Sequence, residues 1–457
     1  MDEKRLRSWT LLLTGIASFM VALDTLVVTT ALNAIRLKLG ASISALGWMV
    51  TAYTLSFAVL IMLGSALGER FGRRRVFASG LTLFTLASAA CALAPGANAL
   101  IAARVVQGVG AAFVMPLALA LLSSAFPKEQ RAKALGLFAS ITGLAILSGP
   151  VVGGAVVQGI SWQWIFWINV PVGIIVTPLI LTKLRESDKT ELKLDFVGIA
   201  LMTVGIFGIT WGLIRSSSLG WGNVEITGAL IAGLLTLIAF ALWELHVAQP
   251  MLQIRLFRLR AFSAGNTATF FLYSSMFGAL FFVAQFLQTA EHYDPLGAGL
   301  RLLPWTATLF FIGPIAGTLI KRVGERSLLV SGLTMQAIGM GSIALLAPHH
   351  PSYLMLIIPL TIAGAGVSLA VPASQHAVVS AVEPPQIGQA SGVYSVLRQL
   401  GGVFGVAVVV AVFAQMGSYG SLQLFSDGFA AAIGASAGLS LLGAIAGLLL
   451  PGYAHEA

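Results

Sequence analysis

The amino-acid sequence predicts an all-α membrane protein of fourteen transmembrane helices, arranged as two six-helix bundles with two extra helices between them. Composition is the first reason: of 457 residues, 57% are hydrophobic and only 9% charged, whereas an ordinary soluble domain carries roughly 25% charge. So few charged side chains cannot cover a water-facing surface. Length is the second, because apolar runs of about 20 residues, the span of a bilayer as helix, recur from one end of the chain to the other. The third is the placement of Lys and Arg, which orients every run.

In order, the runs cover 9–35, 46–68, 76–95, 98–122, 133–158, 164–182, 195–215, 225–246, 262–289, 296–320, 327–347, 353–374, 388–416 and 426–450. The first follows the charged stretch "MDEKRLRSW". It exceeds a signal-peptide core in length and lacks a small-residue cleavage site, so it is expected to stay as a span. With the N-terminus in the cytoplasm, the inner loops collect Lys4, Arg5, Arg7, Arg70, Arg73, Arg74, Arg75, Lys128, Arg131, Lys133, Lys183, Arg185, Lys189, Lys193, Arg255, Arg258, Arg260, Lys321, Arg322 and Arg326. The outer loops hold Arg36, Lys38, Arg215 and Arg301, while Arg104 and Arg398 fall inside spans. This asymmetry predicts a multi-pass protein of a bacterial inner (plasma) membrane with both termini cytoplasmic. The net charge of +9 then marks orientation, and no nucleic-acid partner is expected.

The chain also repeats itself. "GERFGRRRVF" (Gly68–Phe77) is echoed by "IKRVGERSLL" (Ile320–Leu329) at an offset of 252, and "GVGAAFVMP" (Gly108–Pro116) by "GAGVSLAVP" (Gly364–Pro372) at 256. At that second offset Gly136 matches Gly392 and Gly149 matches Gly405. Two alignable blocks, 1–183 and 262–457, therefore flank an extra pair of helices within 184–261. Paired bundles suit a carrier that works by alternating access about a site at mid-membrane. A channel would ring its pore with selectivity groups, and a membrane enzyme would need a polar catalytic loop. Neither is visible, and no enzymatic activity is expected.

Ionisable groups inside spans are functional candidates because lipid makes them costly. Asp24, in "ALDTLVVTTAL", is the carboxylate placed most clearly within a span. Arg104, in "IAARVVQGVG", lies about 9 Å inside the outer end of the fourth. Burial favours a neutral carboxyl and a nearby guanidinium favours the ion, so a pair of this kind suits the binding and release of a proton. A purely structural ion pair is the plainer reading. Gln107 shares a helical face with Arg104 and is a cavity donor or an interhelical hydrogen bond. Arg398, in "SVLRQLGG", lies too deep to reach the surface easily. Glu69, Arg70, Gly72, Arg73 and Arg74 crowd one short loop; anchoring would explain the arginines alone, whereas the acid and the glycine suggest a gate. Cys91 reads as a small buried apolar residue. The scattered histidines, His349 and His350 adjacent, offer no metal site, and no phosphate-binding loop of the Walker type is present, so no bound cofactor is expected.

One helix stands out: "GLAILSGPVVGG" (Gly143–Gly154) would be a poor helix in water, since glycine costs about 1 kcal/mol and proline about 3 kcal/mol relative to alanine. In lipid the same residues have a use. Helices there associate through close backbone packing at small residues, and Gly149 and Gly153 are four apart, with Gly143 and Gly154 nearby and Pro150 able to bend the helix.

This segment resembles the antiporter motif of the major facilitator superfamily, carried by its proton-coupled exporters on the fifth helix. "SALGERFGRRRVF" resembles the superfamily's second-to-third helix loop, with Ser65 in place of a glycine and Glu69 in place of an aspartate. "RVVQGVGAA" resembles its fourth-helix motif, which would make Arg104 the arginine implicated in proton transfer. "LDTLVVTTALNAI", with Asn33 and Thr29 where proline and asparagine are usual, resembles the first helix of the fourteen-spanner drug/proton antiporters. "WMVTAYTL", "SWQWIFWINVPVG" and "DPLGAGLRLLP" resemble further hallmarks of that branch. The resemblance covers nearly the whole chain. It implies a monomeric proton-coupled exporter of small amphipathic compounds such as drugs, powered by the proton gradient. Asp24 and Arg104 would couple protons, the loop from Glu69 to Arg74 would gate, and Trp48, Tyr53, Gln107, Gln285, Trp305 and Arg398 would line the cavity. Two alternatives stay open here: a dedicated exporter of one metabolite, an anionic one suiting Arg104 and Arg398, and a sensor or scaffold that does not transport.

Overall fold

The computed structural model describes residues 3–186, 195–220, 222–247, 250, 254–349, 351–383 and 386–452. The side chains of Glu69, Lys128, Arg131, Lys133 and Lys321, and residues Lys189, Lys193 and His350, lie outside the described residues. The helices are α1 (Glu3–Leu39), α2 (Ile43–Phe71), α3 (Arg73–Ala92), α4 (Ala97–Ala125), α5 (Lys128–Gly159), α6 (Trp164–Trp167), α7 (Asn169–Lys183), α8 (Phe196–Leu219), α9 (Val224–His246), α10 (Arg260–Thr289), α11 (Pro295–Arg301), α12 (Leu303–Leu346), α13 (Tyr353–Ser380), α14 (Ile387–Met416) and α15 (Leu422–Leu448).

Thirteen segments among the described residues are long and apolar enough to cross a membrane, and α8 adds a shorter apolar stretch, Phe196–Gly212. The protein is thus a multi-pass membrane protein, and these fourteen segments coincide with the fourteen apolar runs. Two details differ from an uninterrupted series of rods. The sixth run is divided into α6 and α7 at Ile168, and the tenth and eleventh, together α12, are two helices that meet at a kink at Gly324, whose backbone is not helical.

The chain divides into two compact units, Met1–Ile199 and Ala200–Ala457. In the first, α4 packs on α2 and α3, α1 packs on α5, and α7 lies against α3. In the second, α12 packs on α13 and α15, while α10 packs on α14 and α15. Alpha-helical backbone satisfies its own hydrogen bonds, which is what lipid demands, and several starts are capped: Ser42, Asn223, Asp294 and Ser421 each accept a backbone N–H of the following turn.

The internal repeat of the sequence is a repeat of backbone geometry. Gly72 (φ 103°) ends α2 and Gly324 (φ 79°) breaks α12, two positions 252 apart that both need the left-handed region open to glycine. Gly108 presses on the backbone of Tyr53, and Gly364, its counterpart, on the backbone of Trp305. Any side chain at either glycine would drive the paired helices apart.

Candidate functional site

Six segments of the first unit converge on Asp24. Its carboxylate accepts three donors: Arg104 Nη1 bonds Oδ2, while Gln107 Nε2 (2.8 Å) and Asn169 Nδ2 (3.2 Å) share Oδ1. Arg104 in turn donates through Nε to the Met49 carbonyl at 3.1 Å and through Nη1 to Gln107 Oε1 at 2.6 Å. Its guanidinium lies 4.2 Å from the Tyr53 ring centroid and 5.8 Å from that of Phe166. Ser88 Oγ takes hydrogen bonds from Gln107 (2.7 Å) and Asn169 (3.3 Å), and the Cys91 thiol sits 3.6 Å from Gln107 Oε1. Asp24 and Arg104 are each 1% exposed, and Gln107 and Ser88 are fully buried. Opposite charges so far from water hold only when each is paired and hydrogen-bonded, a condition these neighbours meet.

The local sequence explains the convergence. Arg104 and Gln107 are one helical turn apart on α4, so both point at α1. Glycines Gly108 and Gly110 beside them let α4 close on α2 and α3, bringing Tyr53 and Ser88 within reach. Ile168, the break between α6 and α7, places Asn169 at the first turn of α7, facing inward and 2% exposed.

Behind Asp24 lies α5. A methyl at Gly149 would sit 2.9 Å from Leu26 Cβ, and one at Gly153 would sit 2.7 Å from the Val27 carbonyl. These glycines therefore seat α5 directly on the turn of α1 that follows the carboxylate. Gly154 and Pro150 are also buried, and the helix runs unbroken through Pro150. Gly143 faces open space and takes no part in this contact.

At the other end of the unit, Gly72 is the junction of α2 and α3. The Glu186 carboxylate sits over it, 2.6 Å from where a Cβ would be, and accepts the backbone N–H of Arg74 at 2.9 Å. A carboxylate at a helix N-terminus meets both unpaired N–H groups and the positive end of the dipole. Arg74 and Arg75 approach Glu186 at 3.5 and 3.7 Å, and Arg74 also donates to the Leu181 and Leu184 carbonyls, at 3.1 Å each. Arg73 lines a neighbouring cleft of about 620 Å³ with Arg7, Arg185 and Glu186, and Arg70 is exposed beside Phe71.

Of the residues expected to line a cavity, Tyr53 and Gln107 belong instead to the shell of the ion pair. Gln285 is fully buried, bonded to the Phe281 carbonyl at 2.7 Å and accepting from the Tyr419 hydroxyl. Trp305 is 2% exposed against Gly364. Trp48 and Arg398 are partly exposed. Sequence reasoning missed Asn169, Ser88 and Glu186. An amide inside the apolar run "WIFWINVPVG" was a usable signal for the first; the other two carry none.

Comparison with known proteins adds the family. The model of the Major Facilitator Superfamily matches residues 14–406 and 265–456. The chain belongs to the major facilitator superfamily. It is similar to the multidrug resistance protein Stp of Mycobacterium tuberculosis, 33% identical over 407 residues that cover 89% of this chain and 75% of the relative. It is likewise similar to the tetracenomycin C resistance and export protein of Streptomyces glaucescens, 32% identical over 411 residues covering 89% and 76%, and to the methylenomycin A resistance protein of Streptomyces coelicolor, 33% over 398 residues covering 86% and 83%. Among solved structures, a POT family transporter superposes with a TM-score of 0.73 at 13% identity over 95% of this chain and 94% of the other. A D-xylose-proton symporter gives 0.68 at 15% identity over 97% and 98%. At such identities these structures speak for the fold of a superfamily transporter.

Proposed function

We propose that this chain is a proton-driven exporter of small amphipathic, hydrophobic compounds such as drugs, working as a monomer in a bacterial inner membrane with both termini cytoplasmic. The relatives named for multidrug resistance, for tetracenomycin C export and for methylenomycin A resistance support the direction and the substrate class. The observation that carries the coupling is the buried pair of Asp24 and Arg104 within a shell of neutral donors and acceptors.

That shell suits a carboxylate that changes charge. When Asp24 takes a proton on Oδ2, the Arg104 guanidinium keeps the Met49 carbonyl, Gln107 Oε1 and the Tyr53 ring as partners. Oδ1 keeps its bonds from Gln107 and Asn169. Both protonation states therefore leave few buried polar groups without a hydrogen bond, while the arriving proton displaces the charge pairing that Arg104 gives the ionised carboxylate. The energy comes from the proton gradient, with no bound cofactor. Glycines 149 and 153 let α5 slide on α1 beside the carboxylate, and the Gly72 loop with Glu186 steadies the end of the unit.

The test is substrate-induced proton release from purified, detergent-solubilised protein, wild type beside Asp24→Asn, over cationic, neutral and anionic amphiphiles. Release by at least one compound in wild type, absent in Asp24→Asn, is the expected result. Equal release from both proteins removes Asp24 from the coupling step.

A further inference from the structure

The charges within the spans are unequally matched. Asp24 and Arg104 neutralise one another, three donors already occupy the Asp24 carboxylate, and it is 1% exposed, so it is closed to a cationic ligand in this state. Glu244 lies in the last turn of α9, and Arg215 and Glu225 pair with each other where α8 and α9 meet. Arg398 is different. No carboxylate among the described residues pairs with it, and it stands about 16 Å along α14 from Ile387 at 1.5 Å per residue.

Its surroundings show that it faces protein. Tyr394, Arg398, Gly401, Gly402 and Gly405 share one side of α14 by helical spacing, and this side is packed on α10. Side chains at Gly401 and Gly405 would strike the backbones of Phe270 and Ser274, and one at Gly402 would lie 3.0 Å from the Phe277 ring. The Arg398 guanidinium carbon is 5.8 Å from the Tyr273 ring centroid, and Tyr273 stacks on Phe277 with centroids 6.2 Å apart and planes 28° apart. Arg398 and Phe277 are each partly exposed, whereas Tyr273 is buried. A lone arginine at mid-helix is expensive in a membrane, and a ring 5.8 Å away offsets only part of that cost. What would balance it is an anion arriving from outside the chain, since a guanidinium takes a carboxylate through two parallel hydrogen bonds.

We propose that Arg398, flanked by Tyr273 and Phe277, is the contact point for the acidic group of an anionic aromatic or hydrophobic substrate. The proposal rests on the exporter reading and gives it a substrate class: amphiphiles bearing a carboxylate, whose apolar body lies against Phe277, the partly exposed ring of the stacked pair.

The experiment measures binding of three matched probes, 2-naphthylacetic acid, its primary amide and 2-naphthylethylamine, to the full chain in lipid nanodiscs. Wild type is expected to bind the acid at least tenfold more tightly than the amide or the amine. Arg398→Gln should lose that preference while its affinity for the amide changes less than twofold, which also shows that the variant is folded. Arg398→Lys, keeping charge without the fork, should fall between. An acid affinity unchanged in Arg398→Gln overturns the proposal, as does a wild type that prefers the amine or binds none of the three. Acid binding seen in phosphatidylcholine nanodiscs but abolished by phosphatidylglycerol assigns the site to a lipid headgroup and also overturns it. Proton release measured in the same preparations separates the two readings: release lost in Asp24→Asn but indifferent to Arg398 retains the exporter and discards this site.

Discussion

Replacing Arg104 by glutamine strands the Asp24 carboxylate, whose side chain is 0% exposed. Removing one partner of a buried ion pair costs about 3–5 kcal/mol. At about 2–4 °C per kcal/mol for a unit of this size, the apparent Tm in detergent at pH 8 should fall by roughly 6–20 °C. Asp24→Asn is milder, because the guanidinium keeps the Met49 carbonyl, Gln107 and the Tyr53 ring; about 1.5–3 kcal/mol is expected for the lost charged hydrogen bond. The double variant Asp24→Asn, Arg104→Gln leaves no buried charge at the site. It should therefore melt well above the sum of the two single losses, with a coupling energy of about 1–3 kcal/mol. Thermal unfolding followed by tryptophan fluorescence on all four proteins reads every term. Strictly additive losses would refute the view that the two charges are held by each other.

Two further sets of variants probe the glycines. Gly153→Val places a branched side chain against the Val27 carbonyl and Thr30 and should abolish drug efflux in everted vesicles, whereas Gly143→Ala, facing open space, should transport like wild type. Gly72→Ala forces a Cβ into φ 103° and onto Glu186; a cost of about 1–3 kcal/mol should appear as a lowered apparent Tm. Glu186→Gln keeps the cap acceptor but loses the charge facing Arg74 and Arg75, so it should lower Tm by less than Gly72→Ala, and its own loss should shrink further in high salt.

How much of this was legible follows from where polarity is informative. Fourteen spans were legible because hydrocarbon fixes both the length and the composition of a helix that crosses it. Asp24 and Arg104 stood out because a charge within an apolar run is rare, and Gln107 followed from spacing. Glu186 did not, because it lies in a charged linker where one more acid carries no signal. Ser88 is one small hydroxyl among alanines, of the kind that usually bonds its own helix, as Thr85 does to the Leu81 carbonyl. The mid-span polar residues expected at a cavity find protein partners here: Tyr53, Gln107 and Gln285 bond within their own unit, for Gln107 the interhelical alternative that its spacing also allowed. Buried polar groups must find hydrogen bonds somewhere, and sequence does not say whether the partner is protein or ligand.

The repeat sharpens this point. Backbone features recur across the two units: Gly72 with Gly324, and Gly108 with Gly364. The ionisable groups within the spans do not, although in the loops Arg70 recurs as Arg322 and Arg74 as Arg326 at the offset of 252. At the offset of 256, Arg104 corresponds to Leu360 and Gln107 to Ala363, while Arg398 corresponds to Thr142. Helix packing in lipid requires the same small residues at the same places in both halves, so the scaffold is held to its repeat. Charge is under no such demand: the first unit holds the paired Asp24 and Arg104, and the second holds Arg398, which no carboxylate among the described residues pairs with. On the proposed reading the proton and the acidic amphiphile would meet different chemistries, Asp24 with Arg104 in the first unit and Arg398 in the second.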